Sequence, residues 1–224
     1  MKRDQRNERY IRQQDIVPAE RLATCNATVI GVGAIGRQVA LQLAAMGIPW
    51  LQLVDFDTVD ASNLASQGYL EEDLDRTKVE ATGLLCRQIN SNVELHCLRE
   101  PFRRSTKVGN TIFCAVDQIQ TRRLIWGALK DTVSFLVDGR MNAEVLRVVT
   151  ACDVDSRKHY PGTLFRAREA VAGPCTAKTT IYCANIAAGL MIAEFAKYLR
   201  QLPLESDIQL NLLASELSIA DPCL

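Results

Sequence analysis

Apolar and polar positions along the chain follow two rhythms, one of strands and one of helices. Residues 27–30 form a short apolar run leading into a glycine loop. Beyond it Ile35, Val39 and Leu43 recur at helical spacing until Gly47 stops the pattern. A second strand is expected at 51–54, and a helix opening at Lys78 carries Ala81, Leu84, Leu85 and Ile89 on one face. Residues 93–97 alternate as a third strand. Residues 111–116 are continuously apolar, the pattern of a parallel strand buried on both faces. A helix over 118–130 follows, then a fifth strand at 133–138, a turn at Gly139-Arg140-Met141 and an antiparallel strand at 144–151. Residues 153–179 are polar and loop-rich. Residues 180–200 predict a long helix, apolar around most of its surface, and Ile208, Leu210 and Leu212 alternate as a terminal strand. This order predicts an α/β fold: a doubly wound, Rossmann-like, mostly parallel sheet with an antiparallel C-terminal extension.

Length and composition suit one domain over 1–224, with 1–24 as an N-terminal arm. The 26 basic and 26 acidic residues cancel, so nothing points to nucleic acid or a membrane surface as partner. No apolar stretch follows the charged start, and the longest apolar run, 186–193, is too short to span a bilayer. A cytoplasmic location with reduced thiols is the expectation for the eight cysteines. None forms a C-x-x-C pair, so no zinc is expected. The two histidines, His96 in a strand and His159 in a loop, offer no metal or nucleophile site.

The chemistry concentrates between residues 29 and 78. The run Val29-Ile30-Gly31-Val32-Gly33-Ala34-Ile35-Gly36 places glycines between a strand and a helix, where unpaired N–H groups can meet a phosphate. The second strand ends in Asp55-Phe56-Asp57, and an acid there can accept hydrogen bonds from a ribose. The stretch reads as a nucleotide site, and a nicotinamide cofactor fits the loop and Asp55 equally well. A dehydrogenase, however, has no need of Asp57, Asn63, Gln67 and Lys78 after its second strand.

That cluster, with Asp55-Phe56-Asp57-Thr58-Val59, Ser62-Asn63-Leu64, Gln67 and the helix-opening Lys78, resembles the ubiquitin-activating-enzyme superfamily and its bacterial ThiF/MoeB/HesA-type adenylyltransferases. The resemblance runs from Arg9 to about residue 200. It implies a homodimer that uses ATP and Mg²⁺ to adenylate the C-terminal glycine of a ubiquitin-like or sulfur-carrier protein. It assigns Gly31, Gly33, Ala34, Ile35 and Gly36 to the nucleotide's phosphates and backbone, Asp55 to its ribose, and Asp57, Asn63, Gln67 and Lys78 to the same site. In Arg9-Tyr10-Ile11-Arg12-Gln13, Arg12 matches an arginine that crosses a dimer interface to a partner's ATP. Asp117, in a Val-Asp-x-x-x-x-Arg-Arg pattern, matches a magnesium-holding aspartate. The family usually has an arginine where this chain has Ser66, and Arg140 is a candidate to supply the missing charge. Pro174-Cys175-Thr176 resembles the surroundings of a thioester-forming cysteine; a helix start and Lys178 would lower the Cys175 pKa. Two other readings stay open, a non-catalytic partner subunit of a heterodimeric activating enzyme and an NAD-dependent oxidoreductase.

Overall fold

The computed structural model describes residues 8–164 and 179–220. Its centre is an eight-stranded sheet in the order β3-β2-β1-β4-β5-β6-β7-β8. The strands are β1 (Asn26–Ile30), β2 (Trp50–Val54), β3 (Glu94–Leu98), β4 (Thr111–Cys114), β5 (Phe135–Asn142), β6 (Val145–Ala151), β7 (Asp207–Asn211) and β8 (Glu216–Ile219). The first five are parallel to one another, and β6, β7 and β8 are added antiparallel. The helices are α1 (Ala19–Leu22), α2 (Ala34–Met46), α3 (Ala61–Gln67), α4 (Lys78–Ile89), α5 (Ile119–Leu129), α6 (Val154–His159) and α7 (Ile181–Arg200). The fold class is the expected one.

Successive residues of each central strand face opposite sides, so both faces must be apolar. Val29, Phe113, Phe135 and Val137 pack with α2 and α7 on one side. Ile30, Ile112, Cys114, Leu136 and Val149 pack with Ile125, Trp126 and Tyr160 on the other. Helix α7 meets β5, β6 and α2 through Ala184, Ala187, Ala188, Met191 and Phe195, where small residues allow close approach.

Four details depart from the sequence reading. Gly139-Arg140-Met141 is no turn: β5 runs on to Asn142, and the chain reverses at Ala143, whose φ is 53°. Gly139 lacks a side chain for a packing reason, since a Cβ there would come within 2.4 Å of Met191 Sδ on α7. The polar region after 153 contains α6 and a 3₁₀ turn, Tyr160–Thr163. Helix α6 starts with a capping box, Asp153 accepting from Ser156 N–H at 2.9 Å, a signal that periodicity does not show. Helix α3 is likewise without a periodic signal, and β8 pairs with β7 as a hairpin.

Candidate active site

The strand order reverses between β1 and β4, which opens a crevice at the C-terminal ends of the strands. A cavity of about 790 Å³ lies there, a size typical of ligand sites. Gly31, Gly33, Ala34, Ile35, Asp55, Asp57, Gln67, Lys78 and Asp117 all line it, contributed by the ends of β1, β2, β4, α2, α3 and α4. The wall continues along the antiparallel extension through Arg140, Asn142, Arg147 and Gln209.

The glycine loop is shaped by close backbone contacts. Gly31 has φ +86°, and a Cβ on it would meet Ala115 O at 2.7 Å. A Cβ on Gly36, which does not line the cavity, would lie 1.8 Å from Gly31 O. Gly33 differs, because a Cβ there would meet Gln67 Oε1 at an ordinary 3.7 Å. These contacts separate two kinds of glycine. Gly36→Ala is expected to lower stability by about 1–3 kcal/mol in urea unfolding, as overpacking does. Gly33→Ala should unfold like the parent in the same measurement, because its methyl would meet the protein only at 3.7 Å.

Asp55, 9% exposed, ties the loop to the segment beyond β2. Its Oδ2 accepts from Val32 N–H at 2.6 Å and its Oδ1 from Asp57 N–H at 2.8 Å. Asp57 Oδ2 lies 2.9 Å from Lys78 Nζ. Gln67 Oε1 is buried and has no hydrogen-bond partner among the described residues, and it borders the cavity beside Gly33. Asn63 does not line the cavity: its Oδ1 accepts from Asp60 N–H at 3.3 Å, capping α3. Ser66 donates its hydroxyl to Ser62 O at 2.9 Å.

A support under the loop has no counterpart in the sequence reading. Tyr69 donates its hydroxyl to Val32 O at 2.6 Å, and burial pushes its pKa up. Arg37, 1% exposed, stacks 4.1 Å over the Tyr69 ring and donates to Gly68 O at 3.1 Å. An arginine between apolar helix positions reads as a solvated charge, and nothing local marks it as buried.

A second polar cluster forms the floor beside Asp117. Asp138, 0% exposed, accepts from Arg122 Nε at 2.8 Å, Arg140 Nε at 2.9 Å and the Tyr160 hydroxyl at 2.9 Å. Burial alone would raise the Asp138 pKa, but Arg122 and then Arg140 hold it below the usual carboxylate range. Arg122 also donates to Asp117 O at 3.0 Å, which fixes the turn after β4. Arg140 donates further to Thr163 O and Oγ1, so its guanidinium lies in the wall but is already paired. His159, expected in a loop, ends α6 and meets Asp207, which also holds Arg147.

Arg12 is not in this cavity. Tyr10 packs on Gly47, and Gln13 donates to Met46 O at 2.7 Å. Those contacts seat the arm at the C-terminal end of α2, whose 13 residues put it roughly 20 Å from the glycine loop. Cys175 and Lys178 lie outside the described residues.

The donor set suits a nucleoside polyphosphate. It offers a glycine loop at a helix N-terminus, a carboxylate at the end of β2, an unpartnered amide oxygen and a lysine. No group of three or more metal-ligating side chains occurs among the described residues. One carboxylate, Asp117, still fits Mg²⁺, which is commonly held by one or two carboxylates together with a substrate's phosphates.

A model of the ThiF family matches residues 6–218. The adenylyltransferase and sulfurtransferase MOCS3 of Dictyostelium discoideum is 34% identical over 143 residues, covering 59% of this chain and 34% of that protein. The NEDD8-activating enzyme E1 catalytic subunit of Caenorhabditis elegans is 32% identical over 129 residues, 54% of this chain and 29% of that one. The sulfur carrier protein ThiS adenylyltransferase of Escherichia coli (strain K12) is 30% identical over 112 residues, 47% and 45% of the two chains. The chain thus spans less than half the length of these relatives. Among solved structures, PaaA superposes with a TM-score of 0.78 at 21% identity, covering 99% of this chain and 84% of that one. Escherichia coli MccB with ATP gives 0.76 at 16%, covering 96% and 72%. At these identities the likeness is one of fold.

Proposed function

The chain belongs to the ThiF family, and from that membership we propose that it activates the C-terminal carboxylate of a ubiquitin-like or sulfur-carrier protein by adenylylation with ATP. The observation that carries this reading is the gathering of the glycine loop, Asp55, Gln67, Lys78 and Asp117 around one cavity. A dinucleotide site would use the first two and leave Lys78 and Asp117 without a task. The relatives named for adenylyl transfer support the same choice.

In the reaction a carboxylate oxygen of the carrier attacks the α-phosphorus, the α–β bridging bond breaks, and pyrophosphate leaves with the electron pair. Both reactants are anions, so the work is positioning and charge neutralisation. The helix α2 N-terminus and Lys78 face the phosphates, Gln67 Oε1 accepts a ligand donor, and Asp55 accepts from the ribose. Asp117 would hold Mg²⁺, which spreads phosphate charge when bound. The extension of the cavity along β5, β6 and β7 leaves room for the carrier's terminal residues beside the nucleotide. Cytoplasm is the compartment this chemistry and the free thiols suit. The deciding experiment is ATP–pyrophosphate exchange with a panel of ubiquitin-like proteins. Exchange that depends on one of them supports the reading, whereas tight NADH binding without ATP binding overturns it.

The chain acts as a homodimer in this proposal, with Arg12 serving the partner's site, since the arm sits far from its own. Arg12→Ala and Asp117→Ala should each be impaired alone. Co-refolded, they form mixed dimers with one intact site, and exchange activity should partly return. Verified mixed dimers without recovery would mean that the arm acts in its own subunit or not at all.

A further inference from the structure

Lys78 does not stand free in the cavity. Its side chain is 8% exposed and its ammonium is covered by Asp57, whose side chain is 46% exposed. Among the described residues this is the one cation within ion-pair distance of Asp57. Most exposed ion pairs contribute little, because two long side chains must be ordered to meet. Here the backbone has already done that ordering. Lys78 N–H donates to Asp57 O at 3.0 Å, Val59 N–H to Arg76 O at 2.9 Å, and Asp75 N–H to Val59 O at 3.1 Å. A β-bridge joins Thr58 to Thr77, and Asp57 N–H is held by Asp55. The pair therefore sits across a rigid two-sided clasp, at the wall where the proposed phosphates lie.

A carboxylate in that place is a poor ligand for a polyphosphate, since like charges repel across a few ångströms. We propose that Asp57 is a positioning residue, an internal counter-ion that holds the Lys78 ammonium in register and competes with polyphosphate for it. This rests on the nucleotide reading above and replaces the assignment of Asp57 as a direct nucleotide ligand. In the nucleotide-free protein Asp57 satisfies a buried ammonium that would otherwise be uncompensated. When a polyphosphate arrives, Lys78 exchanges one anion for another, so binding gains only the difference. When pyrophosphate leaves, Asp57 takes the ammonium back and favours release. The site thereby holds both ATP and product less tightly than its lysine alone would allow.

Two readings of Asp57 predict opposite signs. If it contacts nucleotide directly, its removal weakens binding; if it is Lys78's counter-ion, its removal tightens it. The test is calorimetric titration with inorganic pyrophosphate in EDTA, which keeps divalent metal out of the comparison. The parent, Asp57→Asn, Lys78→Ala and the double variant are measured in parallel. Asp57→Ser serves as a second replacement, and circular dichroism checks folding of each. The expected result is pyrophosphate binding about 3- to 10-fold tighter in Asp57→Asn and Asp57→Ser, and weaker in Lys78→Ala. The double variant should bind no more tightly than Lys78→Ala, because the gain runs through the lysine. A merely structural role would lower thermal stability and weaken binding together. Equal or weaker binding in folded Asp57 variants overturns the inference alone. A gain that persists undiminished without Lys78 also overturns it, by showing general repulsion instead of competition. Absence of pyrophosphate and ATP binding in parent and variants alike overturns both this inference and the nucleotide reading.

Discussion

Lys78→Ala is expected to lower the proposed carrier-dependent ATP–pyrophosphate exchange by about 10²–10³-fold, the scale of losing one preorganised electrostatic stabiliser. The magnitude follows from where the ammonium sits. It opens helix α4 with a residue only 6% exposed, in the wall of the cavity that also holds the glycine loop. Cations at a helix start oppose the macrodipole, so this lysine is tolerated because an anion, Asp57, is near, a place the proposed phosphates would take over. In water such a charge would be screened; in this cavity it would act on a developing pyrophosphate with little reorganisation. Asp117→Ala should fall in the same range through a different route, the loss of the carboxylate that would hold Mg²⁺. Exchange rates measured at a fixed carrier concentration check both. Rates within threefold of the parent would remove either residue from the mechanism.

The largest effect on stability is expected at Asp138. Asp138→Asn should cost about 3–5 kcal/mol in urea unfolding, because breaking a buried ion pair from one side strands the other charge. Here it strands two guanidiniums, Arg122 and Arg140, with side chains 7% and 12% exposed. The variant also changes how stability depends on pH. The Asp138 pKa is depressed in the folded protein, so its contribution is fully present above the unfolded carboxylate value and is lost as pH falls through the folded value. Acid unfolding of the parent should therefore include a contribution that Asp138→Asn lacks. Matching acid limbs in the two proteins would show that Asp138 carries no such linkage. Tyr160→Phe, which removes one hydrogen bond to the same carboxylate, should cost about 1 kcal/mol.

Much of this architecture is legible from the chain because period and chemistry coincide. The apolar runs of β1, β2 and β4, each followed by a helical repeat, leave few alternatives to a parallel sheet, and the glycine loop with Asp55 marks where its ligand edge lies. What stays hidden depends on neighbours distant in sequence. Arg37 looks like a surface charge until Tyr69 and Gly68, some thirty residues on, close over it. Gly139 looks like a turn until Met191 is laid across it. Asn63 reads as a site residue because it stands in the right motif, yet its oxygen is spent on capping α3. Asp138 gives no signal of its own, since its partners lie at 122, 140 and 160 and nothing local shows that it is buried inside β5. Ser66 and Arg140 show the limit of reasoning by substitution, for Arg140 reaches the cavity wall already paired.

Asp55 sets when disorder is given up. Its two oxygens hold the glycine loop through Val32 and the Lys78 clasp through Asp57, so both segments are fixed together by one side chain. A loop that must be ordered by its ligand loses conformational entropy at the moment of binding, and affinity falls accordingly. Here that loss occurs during folding, at roughly 1–2 kcal/mol for each backbone residue fixed. The hydrogen bonds to Asp55 offset that loss within the fold, and a ligand of the crevice meets a surface that no longer has to be organised.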